Sequence, residues 1–186
     1  MVDEMLEFKE KMDQVLIRSF RANETFKFAM RGSFEKALNS RQNKPAELIA
    51  KFIHSKLQAG TKTASDDALE KSMDDALVLF RFIDGKDVFE GFYKKDLAKR
   101  LLLGRSSSID AEKTMITKLK TECGSQFTNK LEGMLKDIDL SKDIMAQFSQ
   151  SKDYEKLKGH EVDMNVTIVT SGFWPQYDPT PVILPL

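Results

Sequence analysis

Apolar residues recur at steps of three and four along most of this chain, the period of a helix that buries one face. Over residues 3–20 the stripe is Met5, Phe8, Met12 and Val15. Asn23 is placed to cap a following helix over 24–39, whose stripe is Phe26, Met30, Phe34, Ala37 and Leu38. Pro45 fits the first turn of a third helix, where its missing N–H would have no partner anyway. That helix turns Leu48, Ile49, Phe52, Ile53 and Leu57 inward, with Gly60 as its stop. A polar stretch over 61–65 ends in Ser65, a cap for a fourth helix over 66–83. There Leu69, Met73, Ala76, Leu77, Phe80 and Ile83 give the clearest period, and Asp66 and Asp67 complement the helix dipole.

Asp84-Gly85 breaks the pattern before a fifth helix over 86–103. Val88, Phe89, Phe92, Tyr93, Leu97 and Leu101 to Leu103 cover most of its circumference, which predicts a place in the middle of a bundle. Ser106 to Ser108 supply caps for a sixth helix carrying Ala111, Met115, Ile116 and Leu119 and ending near Cys123-Gly124. A seventh carries Phe127, Leu131, Met134, Leu135 and Ile138, and Ser141 predicts the cap of a short eighth with Ile144, Met145 and Phe148 inward. Residues 151–161 lose the stripe and read as a loop. Val162, Met164, Val166 and Ile168 then alternate with polar residues, predicting a half-buried strand over about 162–170, with Val182 to Leu184 as a second short strand. The expected fold is mainly α: a multi-helix bundle followed by the first strands of an α/β subdomain. Because an open strand edge invites pairing with another chain, that sheet is expected to be completed by further residues and a partner.

Charge and chemistry narrow the function. Lys plus Arg and Asp plus Glu are equal at 29 each, so no whole-chain field favours nucleic acid or a membrane surface. No run approaches the roughly 18 apolar residues of a bilayer span, and the acidic amphipathic start is unlike a signal peptide, which together point to nucleus and cytoplasm. Cys123 stands alone, excluding an internal disulfide and a multi-cysteine zinc site. His54 and His160 lack ligands at metal spacing, and no glycine-rich phosphate loop follows a strand. No catalytic residue, metal or cofactor is therefore expected.

Two features stand out. Residues 93–105 gather Lys94, Lys95, Lys99, Arg100 and Arg105 against one acid, Asp96; a solvated helix face explains them, and a helical nucleic-acid-binding module is the alternative. Asp96 and Arg100 lie four apart on the same side as Phe89, Phe92 and Tyr93, so both are expected to be buried and bonded, to each other or to a neighbouring element. The second feature is the strand followed by Thr170 and Trp174, the combination that β-augmentation uses; an internal sheet with Trp174 as filler explains it equally well.

The run FIDGKDVFEGFYKKDLAKRLL from Phe82 to Leu102 resembles the central signature of the cullin family. The likeness continues through Asp110 to Lys113, Glu122-Cys123-Gly124, Lys130 to Met134, Lys136-Asp137-Ile138 and Gly172-Phe173-Trp174-Pro175. Tyr93 to Gly104 and Leu140 to Met145 look most like its cullin-4 branch. The resemblance implies a non-catalytic scaffold of a ubiquitin ligase. On it, residues 1–60 end a helical-repeat arm, 61–150 form a four-helix bundle and 151–186 begin an α/β subdomain. It further implies that a RING-box protein adds a strand along Val162, Met164, Val166, Ile168 and Thr170, near Trp174, and recruits a ubiquitin-conjugating enzyme. An adaptor–receptor would bind an arm before Met1, and the lysine that accepts a ubiquitin-like modifier would lie beyond Leu186. A basic groove for the conjugating enzyme's acidic tail could draw on Lys51, Lys56 and Lys62.

Overall fold

Three helices start where a side chain or a proline serves the unpaired backbone groups, whereas Ser65 precedes its helix without a side-chain cap bond. The Asn23 side chain accepts from the amides of Thr25 and Phe26 at 3.0 and 3.4 Å, and Ser108 accepts from Asp110 and Ala111 at 3.2 and 3.3 Å. Pro45 occupies the first turn of its helix. A computed structural model describes residues 1–58, 65–157, 165–178 and 181. Among these the helices are α1 (Val2–Phe20), α2 (Glu24–Asn39), α3 (Lys44–Leu57), α4 (Asp66–Phe80), α5 (Lys86–Leu102), α6 (Ile109–Cys123), α7 (Ser125–Ser149) and α8 (Lys152–Leu157). The protein is mainly helical, as its periodicity predicts.

The chain forms two compact units, Met1–Thr128 and Asn129–Leu186, dividing inside α7. In the first, α3 packs chiefly on α5 and α4. Ile49, Ile53, Leu57, Met73, Ala76, Phe80, Phe89, Tyr93 and Leu97 are all at most 3 % exposed, which makes this the core. The Phe80 and Phe89 rings meet edge to face with centroids 4.8 Å apart, a preferred aromatic geometry. The α5 helix is buried on several sides, as expected, although Leu102 and Leu103 at its end are exposed. Asn39 ties the end of α2 to the α4–α5 turn, donating to the Phe82 carbonyl at 2.9 Å and accepting from the Asp84 amide at 3.1 Å.

Four expectations need correction. The stripes of α1 and α2 are core only in part: Phe34 and Leu38 of the α2 stripe are buried, as are Val2 and Leu16 outside the α1 stripe, but Phe8 and Val15 are 52 % and 45 % exposed and Phe26 is 49 % exposed. The two stripes instead line a groove of about 570 Å³ between Met5, Phe8, Met12, Phe26 and Met30. Ser141 caps no helix, because α7 runs unbroken from Ser125 to Ser149 and the hydroxyl is engaged elsewhere. Residues 152–157 are helical rather than loop: the Ser151 hydroxyl accepts from the Tyr154 amide at 3.2 Å and Tyr154 packs edge-on against Phe148. Residues 165–170 belong to no strand; Val162, Met164, and Val182 to Leu184 lie outside the described residues, as do Gly60, Lys62 and His160.

Candidate functional site

The second unit places a polypeptide segment against one stripe of α7. Gly133, Asp137 and Ser141 are spaced four apart, so they line one face of the helix. The segment over 168–174 runs along that face in the opposite direction. The Ser141 Oγ donates to the Ile168 carbonyl at 2.8 Å and accepts from the Ile168 amide at 2.7 Å. One turn back, Asp137 accepts from the Thr170 amide at 2.7 Å, the Thr170 hydroxyl at 3.0 Å and the Trp174 indole N–H at 2.7 Å. A further turn back, the Phe173 ring lies so close to Gly133 that an added Cβ would meet three ring carbons at 2.5 to 2.7 Å. Glycine is required there by close approach.

Asp137 is 8 % exposed and Trp174 5 % exposed. Burial pushes the Asp137 carboxyl up, but the Thr170 amide, the indole, the Thr170 hydroxyl and the Lys136 charge outweigh it and hold its pKa below the usual value. The anionic form is thus built into this docking. Val166, Ile168 and Val169 point out, at 41, 50 and 40 % exposure.

In extended backbone, the amide and carbonyl of one residue face the same edge, and those of its neighbour face the other. Ile168 and Thr170 therefore commit one edge to α7. Among the described residues nothing pairs with the main chain of Thr167 or Val169. The site thus brings Ile168, Thr170 and Trp174 together, with Val166 exposed beside them.

The first unit holds a buried charge cluster. Arg100 and Glu112 both have 0 % side-chain exposure. The guanidinium donates to Glu112 through Nε at 2.6 Å and Nη2 at 2.9 Å, a bidentate pair. The Ser106 hydroxyl donates to the same carboxylate at 2.7 Å, and Arg100 sits over the Tyr93 ring, 5.7 Å from its centroid. Nη1 meets His54 Nδ1 at 2.9 Å. A guanidinium has no acceptor, so His54 accepts and is neutral. Burial pushes the His54 pKa down; Arg100 and Lys99 push the same way, against Asp96 and Glu112.

Arg100 is therefore buried and bonded, but to Glu112 on α6 rather than to Asp96, which is half-buried beside it. Phe92 is likewise half-buried, between the fully buried Phe89 and Tyr93. This withdraws Arg100 from any phosphate-binding face of residues 93–105 and weakens the nucleic-acid alternative. Lys51 and Lys44 both donate to Glu47, at 2.5 and 2.8 Å, and the Lys56 ammonium lies 5.0 Å from the Phe52 ring centroid. Cys123 is half-buried, and burial pushes its thiol up, away from the reactive thiolate.

Sequence reasoning missed three functional groups: Glu112, Asp137 and Ser141. A signal for the last two existed, since Gly133, Asp137 and Ser141 make a small and polar stripe beside the apolar one of Leu131, Met134, Leu135 and Ile138.

Residues 1–145 match the family described as the cullin alpha solenoid domain. The chain is 56% identical to Cullin-4A of Mus musculus over 185 residues, covering 100% of this chain and 24% of that relative. It is 56% identical to Cullin-4A of Homo sapiens over 184 residues, with 99% of this chain and 24% of the relative covered. Against Cullin-4 of Dictyostelium discoideum the identity is 51% over 185 residues, with 100% and 23% covered. The chain thus spans about a quarter of the length of these curated relatives.

Proposed function

As the chain belongs to the cullin family and is cullin-4-like throughout, we propose that it forms part of the non-catalytic scaffold of a cullin-RING ubiquitin ligase. Its task is to hold a RING-box protein, which adds a strand to the edge formed by Thr167 and Val169. Residues 165–170 then contribute to an α/β subdomain that the partner's strand joins. The observation that carries this reading is the segment's asymmetry: α7 holds one main-chain edge at Ile168 and Thr170, while no described residue takes the other. Unpaired edges of this kind are what strand addition uses, with main-chain bonds giving affinity and exposed side chains giving specificity.

On this reading the ubiquitin-charged conjugating enzyme, recruited by the RING subunit, performs the chemistry. The scaffold contributes proximity between that enzyme and a substrate lysine. The buried Arg100–Glu112 pair ties α5 to α6 and supplies rigidity to the helical unit. The ligase acts in nucleus and cytoplasm, its substrates chosen by receptors bound elsewhere on the scaffold.

The test is co-expression of the chain with a RING-box protein, followed by size exclusion. Co-elution is expected, and deletion of residues 165–175 should abolish it while the far-ultraviolet helical signal remains. Equal capture by the deleted chain would refute strand addition.

A further inference from the structure

A segment without strand neighbours to pair with is marginal in water, yet residues 168–174 hold a defined place on α7. The reason is chemical. In an antiparallel ladder, a hydrogen-bonded residue pair exchanges two N–H···O bonds. The Ser141 hydroxyl makes both of these to Ile168 by itself, donating to its carbonyl and accepting from its amide. Asp137 then takes the next amide on the same edge, that of Thr170. It also fixes the end of the segment through the buried Trp174 indole. The Phe173 ring over Gly133 sets the closeness of approach.

We propose that Asp137 and Ser141 are positioning residues that act as a surrogate strand, deciding which edge of residues 166–170 a partner strand can take. The proposal rests on the strand-addition reading above and deepens it. By occupying the Ile168 and Thr170 edge, the two side chains leave only the Thr167 and Val169 edge to a second chain, so the register and direction of approach are set before binding. They also keep the segment in its binding-competent form, and apparent affinity falls in proportion to the fraction that leaves that form.

The experiment combines amide hydrogen exchange on the free 186-residue chain, the same measurement with purified RING-box protein, and titration calorimetry. In the unmutated free chain, Ile168 and Thr170 should be protected and Thr167 and Val169 should exchange freely; the partner should protect the latter two. Ser141→Ala should raise Ile168 exchange roughly tenfold, the loss of two modest hydrogen bonds. Exchange at Tyr93 and Leu97 in the core should not change. The same variant should raise the Kd for the RING-box protein by roughly three- to tenfold, and Ser141→Thr, which keeps the hydroxyl, should restore both. Asp137→Ala should release Thr170 in the same way.

Unchanged Ile168 exchange or unchanged Kd in Ser141→Ala would overturn the surrogate strand. A different result sinks the parent reading alone: binding of the partner by the unmutated chain with no new protection at Thr167 and Val169, while Ile168 and Thr170 stay protected through Ser141 and Asp137.

Discussion

Glu112→Ala removes the acceptor around which the helical core is wired. In the folded protein its carboxylate receives Arg100 Nε at 2.6 Å, Arg100 Nη2 at 2.9 Å and the Ser106 hydroxyl at 2.7 Å, with both charged side chains fully buried. The variant strands two guanidinium donors and leaves a buried cation bonded only to neutral His54, over the Tyr93 ring and with half-buried Asp96 nearby. Leaving one partner of a buried pair uncompensated costs about 3–5 kcal/mol, equivalent for a unit of this size to a fall in Tm of roughly 10–20 °C. Ser106 loses the nearer of its two acceptors and keeps the Ser108 carbonyl at 3.3 Å, which loosens the bridge it makes with Gln58 between the end of α3 and the loop before α6. The double variant Arg100→Met with Glu112→Leu should recover most of the loss, because it removes the desolvation cost of both charges. Urea unfolding followed by circular dichroism gives both free energies. A loss below about 1 kcal/mol for Glu112→Ala, the level of a solvent-exposed pair, would refute the reasoning, as would a double variant no better than the single one.

Glycine-to-alanine changes on two helices should have opposite signs. Gly91 on α5 has nothing within 4 Å of an added Cβ, so Gly91→Ala should raise stability by up to ~1 kcal/mol. At Gly133 the clash with Phe173 wins over helix propensity; Gly133→Ala should cost about 1–3 kcal/mol and red-shift the emission of Trp174, the single tryptophan. Acid should weaken the helical unit through His54: its folded pKa lies below its ordinary value, so the stability it contributes is complete above about pH 6.5 and is lost as pH falls toward the folded pKa. His54→Gln should flatten the Tm-versus-pH curve in that range, and an unchanged slope would contradict it. Below about pH 4, protonation of Asp137, whose pKa is also held low, should release Trp174 and red-shift its emission, a change absent in Asp137→Asn.

Local chemistry was legible in the sequence wherever one residue acts within its own turn. Asn23, Pro45 and Ser108 mark helix starts because capping needs only neighbouring amides. The burial of α5 was legible too, since apolar residues over most of its circumference leave a helix only narrow strips for solvent, here at Lys95 and Lys99. Tertiary partnerships were not. Arg100 showed itself as a charge within an apolar arc, but its partner Glu112 sits in the first turn of another helix, where an acid already has a reason to be. Ser141 looked like a cap because serine favours helix starts, and only the fold shows its hydroxyl serving Ile168 across 27 residues. Amphipathic stripes on α1 and α2 reveal which faces are apolar, but not whether this chain covers them. In 165–170 the expected half-buried face did not form, since Val166, Ile168 and Val169 are all exposed, and ladder pairing depends on neighbours that periodicity cannot supply.

The central claim concerns main-chain atoms, so the decisive measurement alters them and spares the side-chain surface. Calorimetric titration of a RING-box protein into Val169→Ala and Val169→Pro separates the two, because alanine keeps the free-edge amide and proline removes it. Trp174 emission, unchanged in both, would certify that the segment stays docked on α7. The account predicts binding within a few-fold of the unmutated chain for alanine and none measurable for proline. Equal affinity for the two variants, with Trp174 still buried, would mean that no strand is added along this edge.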